Sequence, residues 1–91
     1  MELKDFEEIF GADSSIKSEW EGDNAFQGLQ VIAKYIDPSK YDLITGATHD
    51  QIYSVDVQHL IDANITREDV EQLARLNWTY DEERESMACF V

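Results

Sequence analysis

The sequence predicts one α+β domain in which three or four short helices pack on a small antiparallel sheet. Apolar residues recur at steps of three and four in several segments, which favours helices. The end of the chain shows two apolar runs around a charged turn, which is typical of a β-hairpin. With 91 residues, of which 43% are hydrophobic, the chain can bury one core. We therefore interpret residues 1–91 as a single acidic domain with a radius of gyration of about 12 Å.

The first predicted helix covers about residues 2–10. Its apolar positions have helical spacing, and Gly11 follows where a left-handed C-terminal cap is expected. The segment 12–22 mixes turn formers with isolated apolar residues and has no clear period, so it predicts a loop, pinned by Trp20.

The second predicted helix begins after Asp23, a plausible N-cap. It must end by Asp37, because Pro38 disfavours the helical conformation of the residue before it. Its predicted apolar face consists of Phe26, Leu29, Ile32, Ala33 and Ile36.

The segment from Tyr41 to Val55 is richer in β-branched and aromatic residues, which favours strands. One strand is predicted around residues 51–54 and another around residues 43–47. Gly46 and the pair His49-Asp50 are candidate turn points.

Two short helices in tandem are predicted next. Asp56 can cap the first, and Asn64 can supply its left-handed exit. Thr66 and Asp69 have the spacing of an N-terminal capping motif, so the second helix begins at Arg67. The expected buried residues are Val57, Leu60 and Ile61 in the first helix, and Val70, Leu73, Ala74 and Leu76 in the second. Ile65 and Val70 form a predicted hydrophobic staple, and Asn77 closes the second helix.

A C-terminal β-hairpin is predicted from residues 78–80 and 86–91, with a solvated turn between them. The strand at residues 51–54 is its natural third partner, because an isolated hairpin is marginally stable.

The chain is strongly acidic: 20 Asp and Glu residues against seven Lys and Arg give a formal net charge of −13. Nucleic-acid binding needs clustered basic side chains, so direct binding to DNA or RNA is disfavoured, as is an anionic membrane surface. The basic residues are scattered: Lys4, Lys17, Lys34, Lys40, Arg67, Arg75 and Arg84. A negative surface favours a basic partner instead, including proteins that hold nucleic acid.

Neither a membrane span nor a signal peptide is indicated, because no window approaches about 18 apolar residues and the N-terminus lacks a basic and then apolar order. Cys89 is the only cysteine, in agreement with a reducing compartment. A cytoplasmic location is expected.

Catalytic and cofactor motifs are weak. The pair His49-Asp50 could ligate a metal or act as a base, but such a site needs further ligands, and only His59 is offered. Cys89 lies in an apolar run, where a buried and inert thiol is expected. The acidic runs do not match a calcium loop, and the glycines form no phosphate-binding loop. We expect no enzyme activity, cofactor or metal.

Three functional interpretations follow from these observations. A high net charge often serves only solubility, but the charge of this chain exceeds what solubility requires. The first interpretation is therefore a nucleic-acid mimic, whose carboxylates on a rigid frame take the place of phosphates in a partner's basic groove. The predicted contact residues are Glu19, Glu21, Asp81, Glu82, Glu83 and Glu85. An alternative is an adaptor that binds through the exposed aromatics Trp20, Tyr35, Tyr41 or Tyr53. The third is a small hydrolase that uses His49, Asp50 and His59.

The chain resembles the small acidic single-domain proteins of phages and mobile elements, a group that includes many anti-CRISPR inhibitors. The resemblance consists of size, acidity, short α+β organisation and an ending with residues 76–83, Ser86 and Phe90-Val91. That ending covers about a sixth of the chain, and anti-CRISPR proteins share no motif by which functional residues could be transferred. The resemblance implies stoichiometric, non-catalytic binding to a Cas effector complex, often at its DNA-binding surface, in the cytoplasm of the host cell.

Overall fold

The computed structural model describes all 91 residues and has four helices packed against a four-stranded antiparallel sheet. The helices are α1 (Leu3–Ile9), α2 (Asn24–Ala33), α3 (Val57–Asp62) and α4 (Arg67–Arg75), and the strands are β1 (Gly46–Ala47), β2 (Gln51–Asp56), β3 (Trp78–Asp81) and β4 (Ser86–Phe90). This architecture confirms the predicted α+β class. The radius of gyration is 11.9 Å, in agreement with the expected value.

The strand order in the sheet is β1-β2-β4-β3, so the C-terminal hairpin has β2 as its third partner, as predicted. Ile52 on β2 lies opposite Cys89 on β4, which in turn lies opposite Trp78 on β3. Cys89 and Trp78 belong to a core of 15 buried hydrophobic residues, and Ile52 packs against it. The face of the sheet that carries these three residues is therefore covered by the helices.

The strand β1 is shorter than predicted, with only two residues. Gly46 lies within it and pairs with Tyr53, so Gly46 is not a turn point. The turn falls at Thr48, His49 and Asp50 instead, and the Thr48 amide donates to the Gln51 carbonyl across it at 2.8 Å.

The helix α1 confirms the first prediction, but the expected role of Gly11 was wrong. Gly11 is not in the left-handed conformation, and the C-cap is Phe10. A Cβ at Gly11 would lie 2.7 Å from the carbonyl oxygen of Glu7, so the glycine permits the chain to turn closely past the end of the helix.

The loop after α1 is not pinned by Trp20, whose exposed fraction is 41%. It is attached instead by Ile16, which packs against the core, and by polar contacts to the end of α4. The Ser18 hydroxyl donates to the Ala74 carbonyl at 3.3 Å, and the Glu19 amide donates to the Arg75 carbonyl at 2.8 Å.

The helix α2 begins as predicted, because the Asp23 carboxylate accepts a hydrogen bond from the Phe26 amide at 3.1 Å. Phe26 was wrongly assigned to the apolar face, since 58% of it is exposed. The buried face includes Gly28 and Ile32, and Gly28 lies against the indole of Trp78. Ile36 is buried just beyond the end of the helix.

The helices α3 and α4 begin and end at the positions that the capping residues in the sequence predicted. Asn64 and Asn77 both take the left-handed conformation, with φ of 65° and 62°. The Thr66 hydroxyl accepts a hydrogen bond from the Asp69 amide at 3.2 Å. Asp56 is at the N-cap of α3, but its side chain makes no capping hydrogen bond, contrary to the expectation.

Candidate partner-binding surface

The six predicted contact residues fall into two groups at opposite ends of β3. Asp81 ends β3, and Glu82, Glu83 and Glu85 form the turn to β4. The Glu19 amide is bonded to the carbonyl of Arg75, the last residue of α4, three residues before β3 begins. Four residues of strand, about 10 Å of chain, separate the groups. The six residues therefore do not form one cluster.

The hairpin group is joined by Glu7 from α1, which the prediction did not include. Burial raises the pKa of Tyr80 above its ordinary value, and the negative charges of nearby carboxylates raise it further. These carboxylates belong to Glu85, Glu7, Glu82 and Asp81. We call these four residues, whose charges act on Tyr80, the hairpin acidic face. Sequence periodicity can place Glu7 on the exposed side of α1, but only the fold brings its charge close enough to act on Tyr80 of the hairpin.

No basic side chain forms an ion pair with the hairpin acidic face. The ion pairs of the chain are Lys4 with Glu2, Lys34 with Asp69, and Arg67 with Asp5, Glu8 and Glu71. Arg84, although it lies in the hairpin turn, stacks its guanidinium 3.8 Å from the centre of the Tyr53 ring. A guanidinium in this position is attracted to the ring, so the one cation of the turn is held on β2.

The turn itself is held by its own residues. The Asp81 carboxylate accepts a hydrogen bond from the Arg84 amide at 2.9 Å, so Asp81 also has a structural role. Glu85 takes the left-handed conformation with φ of 53°, which costs a non-glycine residue energy. Glu82, Glu83 and Glu85 are exposed.

Glu19 and Glu21 are also exposed, and neither forms an ion pair. The backbone carbonyl of Glu21 accepts a hydrogen bond from the Gln27 side chain, which ties this segment to α2. These two carboxylates form a separate negative area at the start of β3.

A second acidic region lies in a cleft of about 380 Å³ between α1, the following loop and α4. Its charged lining residues are Glu7, Glu8, Asp13, Arg67 and Glu71. The Arg67 guanidinium lies 3.3 Å from the Glu71 carboxylate and 3.7 Å from that of Glu8. This cleft is therefore partly neutralised, unlike the hairpin acidic face.

The four predicted aromatic contacts differ in exposure. Trp20 and Tyr41 are exposed, by 41% and 54%. Tyr53 is buried beneath Arg84, and the Tyr35 hydroxyl donates to the Asp69 carboxylate, so both have internal partners. The exposed apolar side chains that the prediction missed are Phe26, Ile44, Phe90 and Val91.

The residues of the hydrolase interpretation are not assembled into a site. His49 and Asp50 are exposed in the turn before β2, whereas His59 lies on α3 after β2, so about 17 Å of strand separates them. The His59 ring packs edge-on against Tyr41 at 5.1 Å. No three His, Cys, Asp or Glu side chains are grouped so that they could hold a metal ion.

Cys89 is fully buried on β4, as predicted. Burial raises the pKa of its thiol, and the charge of Asp23 raises it further. The thiol is therefore held in its protonated form, which is a poor nucleophile.

None of the four helices has the length and apolar character that crossing a membrane requires. Comparison of the chain with protein-family models, curated proteins and solved structures found no match.

Proposed function

We propose that this chain is a non-enzymatic inhibitor that occupies a basic nucleic-acid-binding surface of a partner protein, with its carboxylates in the positions of phosphates. The candidate partner is a Cas effector complex, following the resemblance to anti-CRISPR proteins. The observation that carries the proposal is the hairpin acidic face, where the charges of four carboxylates act on Tyr80 and no basic side chain forms an ion pair with them.

The physical basis of the proposal is electrostatic complementarity. A net charge of −13 steers the chain toward a positive surface and raises the rate of encounter. The hairpin and α1 hold the backbone of these residues in place, so only their side chains must be ordered when they meet Lys and Arg side chains. A surface that binds phosphates through Lys and Arg can bind these carboxylates in place of the phosphates.

A second candidate function is an adaptor that binds through apolar contacts. The observation that favours it is the exposure of Phe26, Tyr41 and Ile44, by 58%, 54% and 49%. Leu29, Tyr41 and Ile44 line one shallow groove, so part of this apolar surface is continuous. Ionic strength distinguishes the two functions, because salt screens charges but does not weaken apolar burial.

The experiment that tests the proposal is displacement of fluorescent DNA from a purified Cas effector complex, followed by anisotropy. The face variant, E7Q with E82Q and E85Q, removes three charges from the hairpin acidic face and leaves Asp81 to hold the turn. We expect the wild-type chain to displace the DNA. The face variant should need at least about ten times the concentration, which corresponds to about 1.4 kcal/mol.

The matched control, here called the distal variant, is D42N with D50N and E68Q. These residues are exposed, form no ion pairs and lie outside the hairpin acidic face, and the change in net charge is the same. The distal variant should displace DNA nearly as well as the wild type. If both variants displaced DNA equally less well than the wild type, the effect would come from net charge alone, and a defined binding face would be contradicted.

A further inference from the structure

The strand β3 is the outer strand of the sheet, and the register identifies which of its backbone groups face outward. The Val91 amide donates to the Asp50 carbonyl at 2.9 Å, so alternate residues of the last strand, including Cys89, direct their backbone groups toward β2. The intervening residue Ala88 must then bond toward β3, where it lies opposite Thr79. The N–H and C=O of Tyr80, the next residue, consequently point away from the sheet.

The first half of β3, before Tyr80, borders an open groove. Its volume is about 290 Å³, and it lies between the start of β3 and the segment that follows α1. Trp78 and Thr79 line one side, and Phe10, Ala12 and Ile16 line the other. No backbone hydrogen bond crosses the groove, since this segment bonds to the end of α4 and not to β3. The outer edge of β3 therefore has no partner strand within the chain.

Negative charge lies at both ends of this edge. The Glu19 backbone is bonded to Arg75, just before the edge begins, Glu21 follows two residues later in the same segment, and the hairpin acidic face is at the other end. A second copy of the chain is a poor occupant, because antiparallel pairing of two β3 strands would bring the hairpin acidic face of one copy to Glu19 and Glu21 of the other. The negative charge at both ends of this edge favours binding of a segment with basic side chains.

We propose that the outer edge of β3 binds an extended segment of the partner protein that contains Lys or Arg, which adds to the sheet as a fifth strand. This inference rests on the proposed function and specifies how the basic partner is held. Main-chain hydrogen bonds to β3 provide affinity, and the carboxylates at the two ends select basic side chains.

The test uses a blocked eight-residue peptide of alternating Lys and Val, titrated into the isotope-labelled chain and followed by NMR. A matched peptide has the same sequence and charge but N-methyl groups on alternate amides, so that it cannot pair with a strand along that edge. We expect the first peptide to shift the amide signal of Tyr80 and to slow its hydrogen exchange. The N-methylated peptide should bind at least about ten times more weakly.

The outcomes separate the inference from the proposed function. Equal affinity for the two peptides, with no protection of the Tyr80 amide, would overturn strand addition and leave binding by charge intact. A failure of both peptides to bind at low salt would overturn strand addition and would also count against the proposed preference for basic partners.

Discussion

Asp69 makes contacts that join α2 to α4. Its carboxylate lies 2.8 Å from the Lys34 ammonium, accepts a hydrogen bond from the Tyr35 hydroxyl and is only 17% exposed. The hydrogen bond from Lys34 is the main cause that lowers the pKa of Asp69, and the Tyr35 bond lowers it further. The charged form of Asp69 is therefore favoured in the folded chain.

This arrangement predicts how stability depends on pH. Because the folded pKa of Asp69 is lowered, its contribution is present above the unfolded value of about 3.9 and is lost as pH falls through the lower folded value. We expect D69N to reduce the free energy of unfolding by about 1 to 2 kcal/mol at pH 7, since Lys34 is largely exposed and solvent screens the pair. Urea unfolding at several pH values measures this, and the difference from wild type should narrow below about pH 4. A difference that stayed constant down to pH 2 would contradict the assignment.

The burial and contacts of a side chain could be predicted where its neighbours in sequence determine them. Cys89 lies in an apolar run, and the run correctly predicted its burial. Arg84 lies among carboxylates in sequence, yet its guanidinium stacks on Tyr53, 31 positions away, which only the pairing of the strands determines. Trp20 was wrongly expected to pin the loop after α1, because it is 41% exposed and Ile16 packs against the core instead.

At the scale of elements, α2 and β3 depend on a close approach between Gly28 and Trp78. A Cβ at Gly28 would lie 2.0 Å from the indole Nε1, and the indole is fixed by its hydrogen bond to the Asn24 carbonyl at 2.9 Å. Trp78 is 2% exposed, so it has little room to move.

We expect G28A to destabilise the chain by about 1 to 3 kcal/mol through overpacking, although alanine favours helices by up to about 1 kcal/mol. Urea unfolding followed by tryptophan fluorescence provides the measurement. Q30A on the exposed side of the same helix is the control and should change stability little. An unchanged midpoint for G28A would mean that α2 does not pack on Trp78 in this way.

Elements with local end signals were predicted well. Thr66, Asn64 and Asn77 act within their own turns, so the bounds of α3 and α4 could be read from the sequence. The strand β1 was predicted too long, since the pairing of Gly46 with Tyr53 is set by the neighbouring strand and not by local propensity.

At the scale of the whole molecule, charge was predictable and its distribution was not. The sequence correctly indicated an exposed acidic turn, but the fold alone determines that the charge of Glu7, from α1, also acts on Tyr80 of the hairpin. Glu19 and Glu21 were grouped with the turn because they are also acidic, although the fold places them at the other end of β3.

The central claim is that the hairpin acidic face binds basic surfaces by charge, and salt dependence of affinity tests it most directly. The affinity of the wild-type chain and of the face variant for the Cas effector complex would be measured from about 50 mM to about 500 mM salt. We predict that wild-type affinity falls steeply with salt and that the face variant gives a shallower slope, because fewer charged contacts remain to be screened. Wild-type affinity that did not change over this range would contradict the claim and would favour the apolar surface around Tyr41 and Ile44 instead.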